Sequence, residues 1–216
     1  MIKHSHNGFV VYETPYILPN QEEVKRGLFD LVNVFRPGEK TRLDAIKRLE
    51  EASNGKSNVN PGPGVQCDLR WSNNPYVSSV QNLLSNQVLQ FHNYYFDRKG
   101  VESFGAFWTY ISHPENLDSN YHTHELFYPA ENHIVTTWTI TYYLDVPDNC
   151  EGDDGKLLFS HDSNDDNALK IFPKKETIYI FSGTLSHKPL LAPKSTQARV
   201  VLAGNVYIPF IDKVLL

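Results

Sequence analysis

The run Ile134-Val135-Thr136-Thr137-Trp138-Thr139-Ile140-Thr141-Tyr142-Tyr143-Leu144-Asp145-Val146 is built almost wholly of β-branched and aromatic residues, the types that fit a pleated, half-buried surface. It reads as a long strand. On either side the two-residue period recurs in Phe104-Gly105-Ala106-Phe107-Trp108-Thr109-Tyr110-Ile111, in Thr177 to Phe181 and in Arg199 to Ile208. Turn-forming stretches separate these runs: Pro147-Asp148-Asn149, Gly152-Asp153-Asp154-Gly155, and Ser160 to Asn167. Short strands broken by turns, with no helix between them, predict an antiparallel sandwich, jelly roll or barrel. Trp108 and Trp138 read as its core.

Toward the N-terminus the period changes. From Glu22 to Phe35 the apolar residues Val24, Leu28, Leu31, Val32 and Phe35 fall at three- and four-residue spacing, a helix with one buried stripe that Pro37-Gly38 ends. Arg42 to Ala52 repeats the pattern with Leu43, Ile46 and Leu49, and Ser53 to Gly64 reads as a loop. Tyr76 to Tyr95, with Val80, Leu83, Leu84, Val88, Leu89 and Phe91, predicts the longest helix. The expectation is one domain, mainly β with N-terminal helices: residues 1–101 a helical support with an N-terminal strand, residues 102–216 the sheet core.

Composition narrows the function classes. With 216 residues, 40% of them hydrophobic, the chain can bury a sizeable core. Lys and Arg total 20 against 25 Asp and Glu, a formal charge of -5, so no broad basic face exists to neutralise a phosphate backbone and nucleic acid is not an expected partner. No apolar run reaches the roughly 18 to 20 residues of a membrane span. The Phe9-Val10-Val11 segment is too short for a signal sequence. Cys67 and Cys150 are the only cysteines, which fits a reducing cytoplasm. The sequence is silent on oligomeric state.

The sharpest local feature is Tyr121-His122-Thr123-His124-Glu125. In an extended backbone, residues two apart project from the same face, so the imidazoles of His122 and His124 can converge on one ion. Taken alone such a pair is weak, because the chain holds nine histidines. A third histidine, His187, follows the strand-like Thr177-Ile178-Tyr179-Ile180-Phe181-Ser182-Gly183 and precedes Pro189 and Pro193. Its imidazole is expected at the rim of the sheet, with a hairpin leading back into a strand that carries Arg199. Alternation puts Arg199, Val201, Ala203 and Asn205 on one face, a guanidinium beside small side chains that could hold a carboxylate in bidentate fashion. His113, His133 and His161 read as satisfied or exposed.

The order of these features resembles the 2-oxoglutarate- and iron(II)-dependent dioxygenases, in particular the prolyl-hydroxylase-like branch, whose bacterial and phage members include proteins with a His-x-His motif. The resemblance spans residues 104–209: the His122 motif, the Thr137 to Leu144 strand, Gly155-Lys156-Leu157-Leu158-Phe159, the Pro173 lead-in to Tyr179-Ile180-Phe181, His187 and Arg199. It implies a double-stranded β-helix core, jelly-roll or cupin-like, braced by helices. It also implies Fe(II) held by His122 and His187, with Arg199 pairing the far carboxylate of 2-oxoglutarate, and Tyr110, Tyr142 or Thr141, and Asn205 as its neighbours. The activity implied is hydroxylation of a small molecule or a peptidyl side chain, with release of succinate and CO2.

One position departs from the pattern. Where most members carry Asp or Glu, this chain has His124, so the third ligand is His124 itself, Glu125 if the strand bends, or Glu131 or Asp118 from a flanking loop; strand geometry favours His124. Three neutral imidazoles would leave iron(II) and a dianionic oxoacid uncharged together, and so shift the redox balance of oxygen activation. The stretches Ser53 to Val65 and Leu126 to His133 are long enough to cover a pocket and to choose the substrate. Two other readings stand beside this one: a cupin-type metal-dependent dioxygenase or isomerase using His122, His124, Glu131 and His187, and a non-catalytic jelly-roll binding module.

Overall fold

A computed structural model describes residues 1–32, 59–60, 65–97, 99–100, 102–112, 114, 119–124 and 133–211. The helix expected at Arg42 to Ala52, all but Val59 and Asn60 of the Ser53 to Gly64 loop, His113, residues 126–132, and the three carboxylates Asp118, Glu125 and Glu131 lie outside these residues.

Eleven strands form two antiparallel sheets. They are β1 (Ile2–His6), β2 (Phe9–Pro15), β3 (Val59–Asn60), β4 (Val65–Asp68), β5 (Phe104–Ser112), β6 (His133–Asp145), β7 (Leu157–Phe159), β8 (Leu169–Ile171), β9 (Thr177–Ser182), β10 (His187–Pro189) and β11 (Arg199–Ile211). The large sheet runs β1-β2-β9-β6-β11-β5-β4-β3 and the small one β10-β7-β8. The arrangement is mainly β and jelly-roll-like. Two helices, α1 (Gln21–Val32) and α2 (Pro75–Tyr95), cover one face of the large sheet. Neither is long and apolar enough to cross a membrane.

The helices form where their spacing predicts. In α2, Asn74 accepts the N–H groups of Tyr76 and Val77, Pro75 occupies the first turn, and Val77, Val80, Leu84, Val88 and Phe91 make the buried stripe. The first half of the chain differs from its largely helical reading, because β1 to β4 add four strands to the large sheet. The first hairpin turns at Asn7 and Gly8, both at positive φ (42° and 85°), the tight turn whose twist matches that of paired strands.

Alternation along the strands builds two cores. Trp138, Ile140, Tyr142 and Leu144 of β6, Ile178 and Ile180 of β9, and Val200, Leu202, Val206 and Ile208 of β11 pack under the helices. The intervening residues Tyr143, Tyr179, Phe181, Val201 and Ala203 face the small sheet, where Leu157, Phe159 and Ile171 meet them. At the centre of β11, Gly204 lets the Phe107 ring lie on the backbone: a Cβ there would stand 2.3 Å from Phe107 Cδ1.

The hairpin expected between the Thr177 strand and the Arg199 strand does not form, since β6 separates β9 from β11. After Ser182 the chain turns, with Leu185 N–H donating to Ser182 O at 3.0 Å, and crosses to the small sheet. There His187, Lys188 and Pro189 pair with Phe159, Leu158 and Leu157. Proline offers no N–H to extend the ladder, and the chain returns to the large sheet only at Arg199.

Two stability outcomes follow. Gly204→Ala is expected to cost about 1 to 3 kcal/mol by overpacking against Phe107, read as a lowered urea midpoint. Glu13, 2% exposed, accepts from His4 Nε2 at 2.8 Å and Lys174 Nζ at 2.6 Å. Burial pushes its carboxyl pKa up, but these two partners outweigh it and the net shift is downward. Its contribution is therefore full above the unfolded carboxylate range, near pH ~4.3, and is lost as the pH falls through the folded value. Between pH 7 and pH 3, Glu13→Gln should lose less of its urea midpoint than the parent protein does.

Candidate metal centre

Backbone pairing assembles the site. His122 and His187 exchange both main-chain hydrogen bonds, N–H to O at 3.1 Å and 3.0 Å, and His124 N–H donates to Gly183 O at 2.8 Å. Residues facing each other across such a pair project side chains to the same side, so a segment far from β10 in sequence lays two imidazoles beside the third. Ligand atoms of His122, His124 and His187 all lie within 4.8 Å of one another. The ring centroids are 4.5 to 5.0 Å apart.

Each ring is oriented for coordination. His187 Nδ1 lies 2.9 Å from Leu185 O and His122 Nδ1 lies 3.1 Å from Asn120 O. Donation to those carbonyls leaves both Nε2 lone pairs available, the tautomer that metal-binding histidines use. His187 Nε2 and His124 Nε2 stand 3.2 Å apart, close to the ~3 Å between adjacent nitrogens that each lie about 2.1 Å from one ion. Burial, and then the neighbouring His122, pull His124 down to about 4. Burial, then His122 and His124, push His187 well below its ordinary value. At neutral pH both are uncharged, as a metal requires. These three donors fit a divalent transition metal with positions left open for other ligands.

The imidazoles form one end of a cavity of about 500 Å³, within the ~300 to 1,000 Å³ typical of small-ligand sites. Its floor is a set of rows across the large sheet. Tyr110, Val201 and Tyr143 make one row; Trp108, Ala203 and Thr141 make the next. Arg199, 2% exposed, lies beyond them, its Nη2 donating to Gly155 O at 2.6 Å and Leu190 O at 2.8 Å. Among the described residues nothing accepts from its Nε or pairs with Thr141 Oγ1, although both residues line the cavity. Buried polar atoms are normally satisfied, so an orphaned guanidinium donor at a cavity wall marks a place for a buried acceptor.

Of the residues singled out in the sequence, His122, His124, His187, Arg199, Tyr110 and Thr141 line this cavity. Tyr142 does not. It lies on the helix side of β6, where its hydroxyl donates to Gln21 Oε1 at 2.7 Å, because one step along a strand reverses the face. Its neighbour Tyr143 lines the cavity instead, kept protonated by burial although Arg199 opposes the shift. Asn205 is not among the lining residues; it accepts from Thr139 Oγ1 at 3.2 Å. Trp108, read as core, is half-buried in the cavity wall, its ring 5.3 Å from that of His124. The parity of β6 carried a signal for Tyr143: Thr139, Thr141 and Tyr143 share the polar face, whereas Trp138, Ile140 and Tyr142 share the apolar one.

No family model matches the sequence, and no curated protein matches it. Solved structures do match. The viral collagen prolyl hydroxylase of Paramecium bursaria Chlorella virus-1, in its 2-oxoglutarate complex, superposes with a TM-score of 0.53 at 14% identity, over 92% of this chain and 96% of that one. The chain has the fold of the 2-oxoglutarate-dependent oxygenases. A Trichoplax adhaerens prolyl hydroxylase, in complex with a hypoxia inducible factor peptide fragment, gives 0.56 at 14% identity, covering 92% and 83%. The α-ketoglutarate-dependent carbocyclase SnoK of nogalamycin biosynthesis gives 0.56 at 13%, covering 95% and 83%. At such identities the likeness is one of fold.

Co(II), followed by its d–d absorbance, should saturate at one ion per chain. His187→Ala should weaken that uptake by more than about 100-fold, and Tyr142→Phe should leave it unchanged. Equal uptake by the His187 variant would remove the site.

Proposed function

We propose that this chain is a single oxygenase domain, a double-stranded β-helix that binds Fe(II) and 2-oxoglutarate and hydroxylates a small molecule or a peptidyl side chain. The observation that carries the reading is the convergence of three neutral imidazoles in the same cavity as a buried arginine with an unpaired donor. A shared fold alone would not choose a function.

When bound, ferrous iron with 2-oxoglutarate and dioxygen supplies an oxidation that releases succinate and CO2 and adds one oxygen atom to the substrate. The remaining work belongs to the protein. His122, His124 and His187 would hold the ion. Arg199, already clamped through Nη2, would pair with the carboxylate of the oxoacid farther from the metal, and Thr141 Oγ1 and the protonated Tyr143 hydroxyl would donate to it. Val201, Ala203 and Leu157 line the space between these groups with apolar surface, which excludes water from the charged pair and strengthens it. The three neighbours named above act on collagen prolyl residues, a peptide fragment and a carbocycle precursor, which is why both peptidyl and small-molecule substrates stand in the proposal.

Anaerobic Fe(II) titration with 2-oxoglutarate should produce the weak visible charge-transfer band of a chelated oxoacid. His122→Ala and His187→Ala should lose iron, whereas Arg199→Ala should keep iron and lose at least about tenfold in oxoacid affinity, the scale of one charge-assisted pair. Slow succinate formation without added substrate would accompany the band. A band retained in all three variants, or no succinate from the iron-loaded protein, would refute the reading.

A further inference from the structure

Building on that reading, we propose that the loaded site takes one monoanionic donor on the metal in addition to the oxoacid: a carboxylate or thiolate of the substrate itself, or a free inorganic anion. The basis is the charge inventory of the cavity. Among the described residues lining it, Arg199 is the only one that carries a fixed charge, and there is no carboxylate. His124 stands where a two-histidine, one-carboxylate site would place its anion, and both His124 and His187 are held neutral. The nearest described acids are engaged elsewhere. Asp165 pairs with Lys188 at 2.9 Å, and Asp162 accepts from Ser160 at 2.5 Å and Asn167 at 3.3 Å.

A divalent ion and Arg199 together bring three positive charges, and a dicarboxylate oxoacid offsets two. One positive charge is left over. A carboxylate ligand would have cancelled it, whereas an imidazole cannot. Arg199 is 2% exposed and His187 5% exposed, so the walls on that side screen poorly, and an uncompensated charge there is costly. His122, by contrast, is exposed, which leaves an approach to the ion from the solvent side. Neutral donors, a surplus positive charge and an open approach make an anion site, and they favour a substrate that brings its own anionic group over a neutral one.

The test uses Co(II) in place of iron, because its visible spectrum reports ligands directly, with azide as the probe and ionic strength held constant by perchlorate. In the presence of 2-oxoglutarate, azide should shift the bands of the parent protein saturably. His124→Asp should keep the metal and the oxoacid but bind azide at least about tenfold more weakly, and His124→Gln should keep the azide response. Parallel titrations separate the sources: a response to chloride and azide alone assigns the position to a free inorganic anion, and a response to acetate or mercaptoacetate assigns it to a substrate group. Absence of an azide response in the parent protein, or an equal response in His124→Asp, would overturn the proposal. So would a Glu125→Gln variant that gains an azide response the parent lacks, because Glu125 would then be supplying the charge. If azide binds and 2-oxoglutarate leaves the spectrum unmoved, the oxygenase reading fails while the anion site stands.

Discussion

The site depends on one short piece of antiparallel pairing, the reciprocal main-chain hydrogen bonds between His122 and His187. Such a pair holds two Cα atoms about 5.5 Å apart with their side chains on one face, so ring convergence is a property of the backbone rather than of rotamer choice. The third contact, His124 N–H to Gly183 O, then sets the second imidazole of the segment beside the other two. Pairing also explains why β10 is so short: it is the crossing point where the chain leaves the large sheet, and its other edge is taken by β7.

That crossing works because the large sheet is buried on both faces. Helices α1 and α2 cover one side with a dense layer of aliphatic and aromatic groups, and the small sheet covers the other. The second layer is complete at Phe159, Phe181 and Tyr179, but opens where Val201, Ala203, Thr139 and Thr141 present little bulk. The cavity is therefore a gap in residue size along particular rows of the sheet. His187 sits at its edge, its ring packed 4.7 Å from that of Phe181, which both orients it and keeps it dry.

Electrostatics follow from the same placement. Burial keeps two of the imidazoles neutral without any acid beside them, and it holds Arg199 between backbone carbonyls with a donor to spare. A cavity walled in this way carries positive charge once an ion enters and has, among its described residues, no negative charge to answer it. Anions are the ligands such a place accepts.

Much of this was legible in the residues themselves. Periodicity alone marked β5, β6, β9, β11 and the long helix α2, because burial on a sheet or a helix face repeats every two or every three to four residues. The His-x-His pair, His187 and Arg199 stood out because few residue types ligate metals or pair with carboxylates. Asn7-Gly8 was an equally plain hairpin signal that announced β1 and β2, yet the run around it is short and polar. What only the tertiary structure decided was partnership: that β10 crosses to a second sheet instead of folding back, that Tyr143 rather than Tyr142 faces the cavity, that Asn205 is taken by Thr139, and that Trp108 is wall and not core. A strand's own sequence states which residues share a face, but which face meets the site, and which strand lies alongside, is set by hydrogen bonds to segments far away in the chain.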